Sequence, residues 1–267
     1  MSDRVTMRIV AVVVAATIPA VSHGHDTWVQ TAARVVPAGE VVHVDLALGN
    51  HGNEHRDFKY AGKLSSLDGA TLEVLDPRGR RTDLVPALVD LGMAPKEGFW
   101  SARFVTAADG LHCVAHTLDR VHGTKRTVKS GKAFFMVADQ EASAPAADGV
   151  VEPLGHALEI VPETHPVLGC GPGKAVKVRL LARGRPLADE RVSFIPRGAE
   201  PKGEFDPEFE RRTDAEGRAS YVPREGNYVL VVAHRTADDE RGEGYDRTVY
   251  SATLVLTIPQ RCGCCDE

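Results

Sequence analysis

The chain is expected to be all-β: two antiparallel β-sandwich domains following a cleaved signal peptide. Three observations carry that expectation. Apolar residues recur at every second position in segment after segment, whereas the 3.6-residue spacing of an amphipathic helix does not recur. The apolar segments are short. Between them stand Gly, Pro, Asn and Asp turn signals. Short strands at this spacing, with no helices between them, pack as antiparallel sandwiches.

At the amino end, Arg4 and Arg8 precede an apolar run over residues 9–20 that is too short to span a bilayer. Small residues then permit a signal cut after Ser22 or after Gly24; the second is favoured, so residues 1–24 are read as signal and the mature chain begins at His25. About 240 residues remain, enough for one large or two ordinary domains. Residues 249–258, the longest later apolar stretch, are interrupted by Tyr250, Ser251 and Thr253, so no transmembrane segment is expected after signal removal. The reading is an exported protein, periplasmic or secreted. A net charge of −5, a pI of about 6.1 and the lack of any basic block exclude nucleic acid as a partner.

The first domain is assigned to residues 25–138. In residues 41–48, Val42, Val44, Leu46 and Leu48 share one face and His43 and Asp45 the other. Residues 71–75, 98–106 and 111–118 read as further strands, and 132–138 as a short apolar strand closing this half. Asp68-Gly69, Asp76-Pro77-Arg78-Gly79 and Asp109-Gly110 supply the turns. Residues 139–150, rich in Ala, Asp, Ser and Pro, read as a linker. The second domain, 151–259, has strands at 157–161, 174–181 and 191–195, a turn at Gly184-Arg185-Pro186, and a tight turn over 213–219 in which Gly217 supplies a positive φ. Residues 227–234 and 247–258 are its longest and most apolar strands. A cysteine-rich tail, 260–267, ends the chain.

Eleven histidines give the chain its chemistry. A cut after Gly24 leaves His25 first, so its free amine and imidazole form a two-point chelator that needs further imidazoles from the fold. On the 111–118 strand His112, Val114 and His116 share one face, successive members about 7 Å apart. Either histidine is placed to meet the amino terminus; an outward polar strand face is the plain alternative. His51 and His55 lie in a polar loop with two glycines, of the kind that holds ligands on a rigid scaffold. His234 ends a strand just before the acidic loop 238–243, where it either completes a site at the domain junction or makes an ion pair. A nitrogen-rich set of this kind suits nickel, cobalt or copper, with geometry choosing among them.

Five cysteines cannot all pair within one chain. Cys262, Cys264 and Cys265 crowd the tail, where they serve a soft metal ion or a disulfide to Cys113, Cys170 or another molecule. Cys170, between glycines, is expected on an exposed turn. The sequence contains no Gly-x-Ser-x-Gly elbow, phosphate loop or His-Glu-x-x-His, and its carboxylates are scattered among turns, so no catalytic role is assigned.

Several segments resemble one group of exported bacterial proteins. They are His25-Asp26-Thr27-Trp28-Val29, the Gly110-to-Thr117 stretch GLHCVAHT, VKSGKAFF from Val128, PLGHALEIVP from Pro153, Gly184-Arg185-Pro186-Leu187-Ala188, TDAEGR from Thr213, and Tyr250-Ser251-Ala252-Thr253-Leu254. The group is the periplasmic family described as nickel-uptake substrate-specific proteins, and the resemblance spans nearly the whole mature chain. It implies an exported two-domain β protein with a prealbumin-like, Ig-like C-terminal sandwich, and a role beside a nickel or cobalt transporter of the inner membrane. It also favours His116 over His112. This chain differs from some relatives in having no transmembrane segment and in adding the cysteine tail. The resulting expectation is a periplasmic transition-metal-binding accessory protein, not an enzyme, that captures nickel, cobalt or copper for an uptake system. The rivals are a carbohydrate- or adhesion-type binding protein, disfavoured by 6% aromatics and only two tryptophans, and a copper oxidative enzyme built on an N-terminal histidine.

Overall fold

A computed structural model describes residues 25–50, 56–95, 97–139 and 151–260. Residues 1–24, expected to be a signal, most of the expected linker and the three tail cysteines lie outside the described residues. Among the described residues the strands form three sheets. The first orders β1 (Asp26–Thr31), β3 (Val41–Gly49), β8 (Trp100–Val105) and β7 (Val89–Asp90), with β4 (Tyr60–Gly62) on the end of β3. The second, of nine strands, runs β15 (Glu210–Arg212), β14 (Arg191–Pro196), β17 (Asn227–Ala237), β18 (Arg247–Ile258), β10 (Lys125–Val137), β9 (Gly110–His122), β5 (Ala70–Leu75) and β6 (Arg81–Asp83), with β2 (Val35–Val36) on β10. The third joins β11 (Leu158–Pro162), β12 (Val176–Ala182) and β13 (Arg185–Pro186), with β16 (Arg218–Tyr221) beside β12.

The all-β class and its antiparallel sheets are as expected from the sequence. The two sandwiches, however, share their middle layer. β10 of the first half pairs in parallel with β18 of the second, Lys125 opposite Arg247 through Ala133 opposite Val255. The nine-stranded sheet is therefore covered on both faces, and its central strands send alternate side chains into two cores. Ala133, Phe135 and Val137 of β10 join Leu230 and Val232 of β17 and Val255 of β18 beneath the first sheet. Phe134 and Met136 of β10, Val229, Val231 and Ala233 of β17 and Leu254 and Leu256 of β18 pack beneath the third. Strands buried on both sides read as continuous apolar runs instead of alternating ones, which is why 132–138 and 247–258 stand out in the sequence.

β10 does not close the first half at residue 132; it begins at Lys125 and lies at the centre of the molecule. Its first residues, Lys125, Arg126 and Lys129, hide it from an apolar count. Most other strands fall within one or two residues of their expected positions, while β1 and the two- and three-residue strands carry too little pattern to be read.

β1 crosses the middle sheet at Gly131. A Cβ there would stand 3.0 Å from the Thr253 hydroxyl and 3.6 Å from the Trp28 Cα, so glycine lets one backbone lie directly on another. Thr253 donates from that point to the Thr27 carbonyl at 2.9 Å. Trp28, fully buried, packs edge-on to Phe58 at 5.4 Å. The ring also fills the space left by Gly49, where a Cβ would collide with it.

Two buried ion pairs fasten the halves further. Lys132 on β10 meets Glu159 on β11 at 2.7 Å with both side chains almost wholly buried. Glu159 also accepts the backbone N–H groups of Leu154, Gly155 and His156, so its lone pairs are satisfied. Arg56 donates to Glu210 at 2.6 Å and to the Glu204 carbonyl. Lys132→Met should leave Glu159 charged and without its cation, costing about 3–5 kcal/mol. Urea unfolding of the variant beside the wild type measures it.

Candidate functional site

The register of the middle sheet sets a polar row at one end of the face that β1 crosses. Lys129 of β10 lies opposite Ser251 of β18, and Ser251 lies opposite His234 of β17. The next row places His116 of β9 opposite Gly131 of β10, and Gly131 opposite Thr253. Beyond these the same face turns apolar, with Val114, Ala133, Val255 and Leu230 in the core. β1 enters over the polar rows with Asp26 and Thr27.

Asp26 is 1% exposed. Its Oδ2 accepts from Asn50 Nδ2 at 2.6 Å and from His234 Nε2 at 2.8 Å. Its Oδ1, like the Ser251 hydroxyl, is buried without a hydrogen-bond partner. Burial works against the charge on this carboxyl, but His234, Lys129 and Asn50 prevail, and it is held below the usual aspartate range. The Lys129 ammonium, itself nearly buried, donates to the His25 carbonyl. Burial lowers the Lys129 pKa, opposed by the neighbouring Asp26 charge. The start of β1 is thus fixed by side chains from three strands and by Asn50.

Thr27 turns to the other row. His116, 0% exposed, donates from Nδ1 to the Thr71 carbonyl at 2.7 Å, which leaves Nε2 to accept from the Thr27 hydroxyl at 3.0 Å. Burial depresses its pKa to about 4, so the ring is neutral. Both ring nitrogens of the residue expected to bind metal beside His25 are therefore already engaged. His112 shares the strand face with Val114 and His116 as expected, but the outward polar face is overturned. It is 1% exposed, stacks on Phe135 at 4.8 Å and points Nδ1 at the Gly110 carbonyl. It is a core residue.

His234 does sit at the junction of the halves, and its carboxylate partner, at 2.8 Å, is Asp26 and not the acidic loop that follows it. His25 is exposed at the end of β1. His51 and His55 lie outside the described residues, but the two residues that bracket them are fixed: Asn50 on Asp26, Arg56 on Glu210. Among the described residues, no three His, Cys, Asp or Glu side chains converge to hold a metal ion.

Cys170 is corrected: it is buried in the core under the third sheet and donates to the Pro166 carbonyl at 3.4 Å. Its thiol is pushed up to about 11 by burial, and that of half-buried Cys113 to about 12. Neither is a ready thiolate. Cys262, Cys264 and Cys265 lie outside the described residues.

Sequence reasoning missed Asp26, Asn50, Lys129 and Ser251. The signal for one of them is present: Ser251 interrupts the apolar run of β18. The half-buried His156 is also pushed to about 4 by burial. A histidine neutral in the fold at pKa 4 and near 6.5 when unfolded takes up its proton only on unfolding between those values. Its contribution is therefore complete above pH 6.5 and lost as pH falls toward 4. Denaturation midpoints at pH 7, 5.5 and 4.5 should fall steadily. At about 1.4 kcal/mol per pKa unit, His116 alone accounts for about 3 kcal/mol across that window, and His116→Gln should flatten the slope.

No curated protein matches the chain in sequence. Among solved structures, a Salmonella alpha-2-macroglobulin aligns over 89% of this chain and 15% of its own, at 13% identity and a TM-score of 0.27. A DUF4785 family protein of Legionella pneumophila aligns over 87% of this chain and 57% of its own, at 12% identity and a TM-score of 0.29. The adhesin InvE of Yersinia pseudotuberculosis aligns over 87% of this chain and 59% of its own, at 14% identity and a TM-score of 0.22. The chain thus spans less than two thirds of the length of each of these proteins. A family model described as a domain of unknown function, DUF4198, matches residues 22–236, a range that holds β1, the middle sheet up to β17 and every residue of the Asp26–His234 pair, and the chain belongs to that family.

Proposed function

We propose that the protein is an exported, transition-metal-binding accessory protein that captures nickel, cobalt or copper and hands it to an uptake system of the inner membrane. The site is the start of β1: His25, through its amine and ring once the signal is cut after Gly24, with His234 and with His51 or His55. One observation carries this reading. The carboxylate next to His25 is buried against His234, and the row beneath it is polar in a face that is otherwise core.

The chemistry of the donor set agrees. A carboxylate bonded to one nitrogen of an imidazole fixes the ring's tautomer and orientation, as the partners of metal-bound histidines do. Lys129 on the His25 carbonyl and Asn50 on Asp26 hold the backbone from which the terminal amine would emerge. His234 replaces His116 as the second imidazole, because His116 has both nitrogens spent within the fold. His112 is withdrawn to the core. Amine and imidazole donors suit copper, nickel and cobalt, and when bound such an ion is cargo held by reversible coordination. The resemblance to nickel-uptake proteins favours nickel or cobalt.

Titration calorimetry of the mature chain beginning at His25 should give sub-millimolar binding of at least one of these ions. Affinity should fall as pH drops through the histidine range, because the ligands must be deprotonated. His234→Ala, or one alanine added before His25, should weaken binding about tenfold or more. No binding of any of the three ions by the mature chain overturns the proposal.

A further inference from the structure

On the side of His234 away from Asp26, residues of the second half line a half-open cleft of about 400 Å³ that shares only His234 with the Asp26 cluster. Val232 and Ser193, opposite each other on β17 and β14, form its floor with His234. Ser193 is fixed by donating to Glu210 Oε1 at 2.8 Å. The same carboxylate takes Arg56 and the Asp206 N–H on its other oxygen. The floor is thus held by a buried hub and does not rearrange freely.

The walls carry both signs of charge. Arg191 donates to the Glu204 carbonyl at 2.9 Å and stands 3.8 Å from Glu210. Arg212 donates to the Asp189 carbonyl at 2.7 Å. A guanidinium has five N–H donors, so these contacts leave others for a ligand. Glu190 and Glu204 line the same cavity, and the partly exposed ring of Phe205 closes one side. Burial raises the pKa of the Glu190 carboxyl, and the charges of Arg235 and Arg212 oppose that rise.

Two guanidiniums faced by two carboxylates give a dianion or a dication as much repulsion as attraction. A molecule with one charge of each sign satisfies both walls. The volume lies at the small end of the range for ligand cavities. We propose that this cavity binds a small zwitterion of amino-acid or dipeptide size, its carboxylate held by Arg191 and Arg212, its ammonium by Glu190 or Glu204, and its side chain against Phe205. The proposal stands whether or not the protein binds a metal.

Calorimetry of the mature chain, without added metal, against glycine, glutamine and alanylalanine, with citrate and putrescine as single-sign controls, tests it. At least one zwitterion should bind with a Kd below about 1 mM, and neither control should. Arg212→Met and Glu190→Gln should each weaken that binding about tenfold or more. Arg224→Met, on a different face, should leave it unchanged, with circular dichroism verifying that each variant is folded. Absence of binding by every zwitterion up to about 10 mM, or binding indifferent to both cavity variants, overturns the proposal.

Discussion

The parallel ladder between β10 and β18 is the constraint on which the rest of the structure depends. Parallel pairs need cover on both faces, because their strands are apolar on both. That requirement places the first sheet on one side and the third on the other, and it divides Phe134 from Phe135 and Val231 from Val232 between two cores. Once the middle sheet is shared, neither half of the chain owns a complete sandwich.

A sheet buried on both sides is a poor place for charge, and the polar rows under β1 are the exception that requires explanation. Lys129, Ser251 and His234 stand on three adjacent strands in one register. Their combined cost is offset by Asp26 and by the His25 carbonyl, which bring a negative charge and an acceptor from the strand above. The reciprocal also holds: β1 is seated by these polar contacts and by the close approach at Gly131, with Trp28 as its one large apolar anchor. Strand position and polar cluster thus specify each other.

Much of the fold was legible in the sequence because period-two patterning and turn residues are local. Residues 41–48 alternate cleanly and form β3 almost unchanged; 227–234 and 247–258 are apolar runs and form the doubly covered strands. What was not legible depends on pairing across the chain. Nothing near Lys129 announces a parallel partner more than a hundred residues away, so β10 was read as a short closing strand. Cys170 sits between glycines, which reads as exposed turn, yet the third sheet covers it. His112 and His116 were correctly placed on one face, but periodicity does not say whether that face meets water or a core. His234 is expected to end its strand, either at a domain junction or in an ion pair with the acidic loop; β17 instead continues to Ala237, and the partner Asp26, 208 positions earlier, lies beyond any local signal.

The shared middle layer also bears on how the chain comes to be whole. Residues 139 and 151 border the stretch between the halves, while the β10–β18 ladder and the Lys132–Glu159 and Arg56–Glu210 pairs join those halves through space. Covalent continuity across that stretch is therefore redundant once folding is complete. A chain severed there stays one body, and each fragment made alone lacks the partner that would give its central strand a second neighbour.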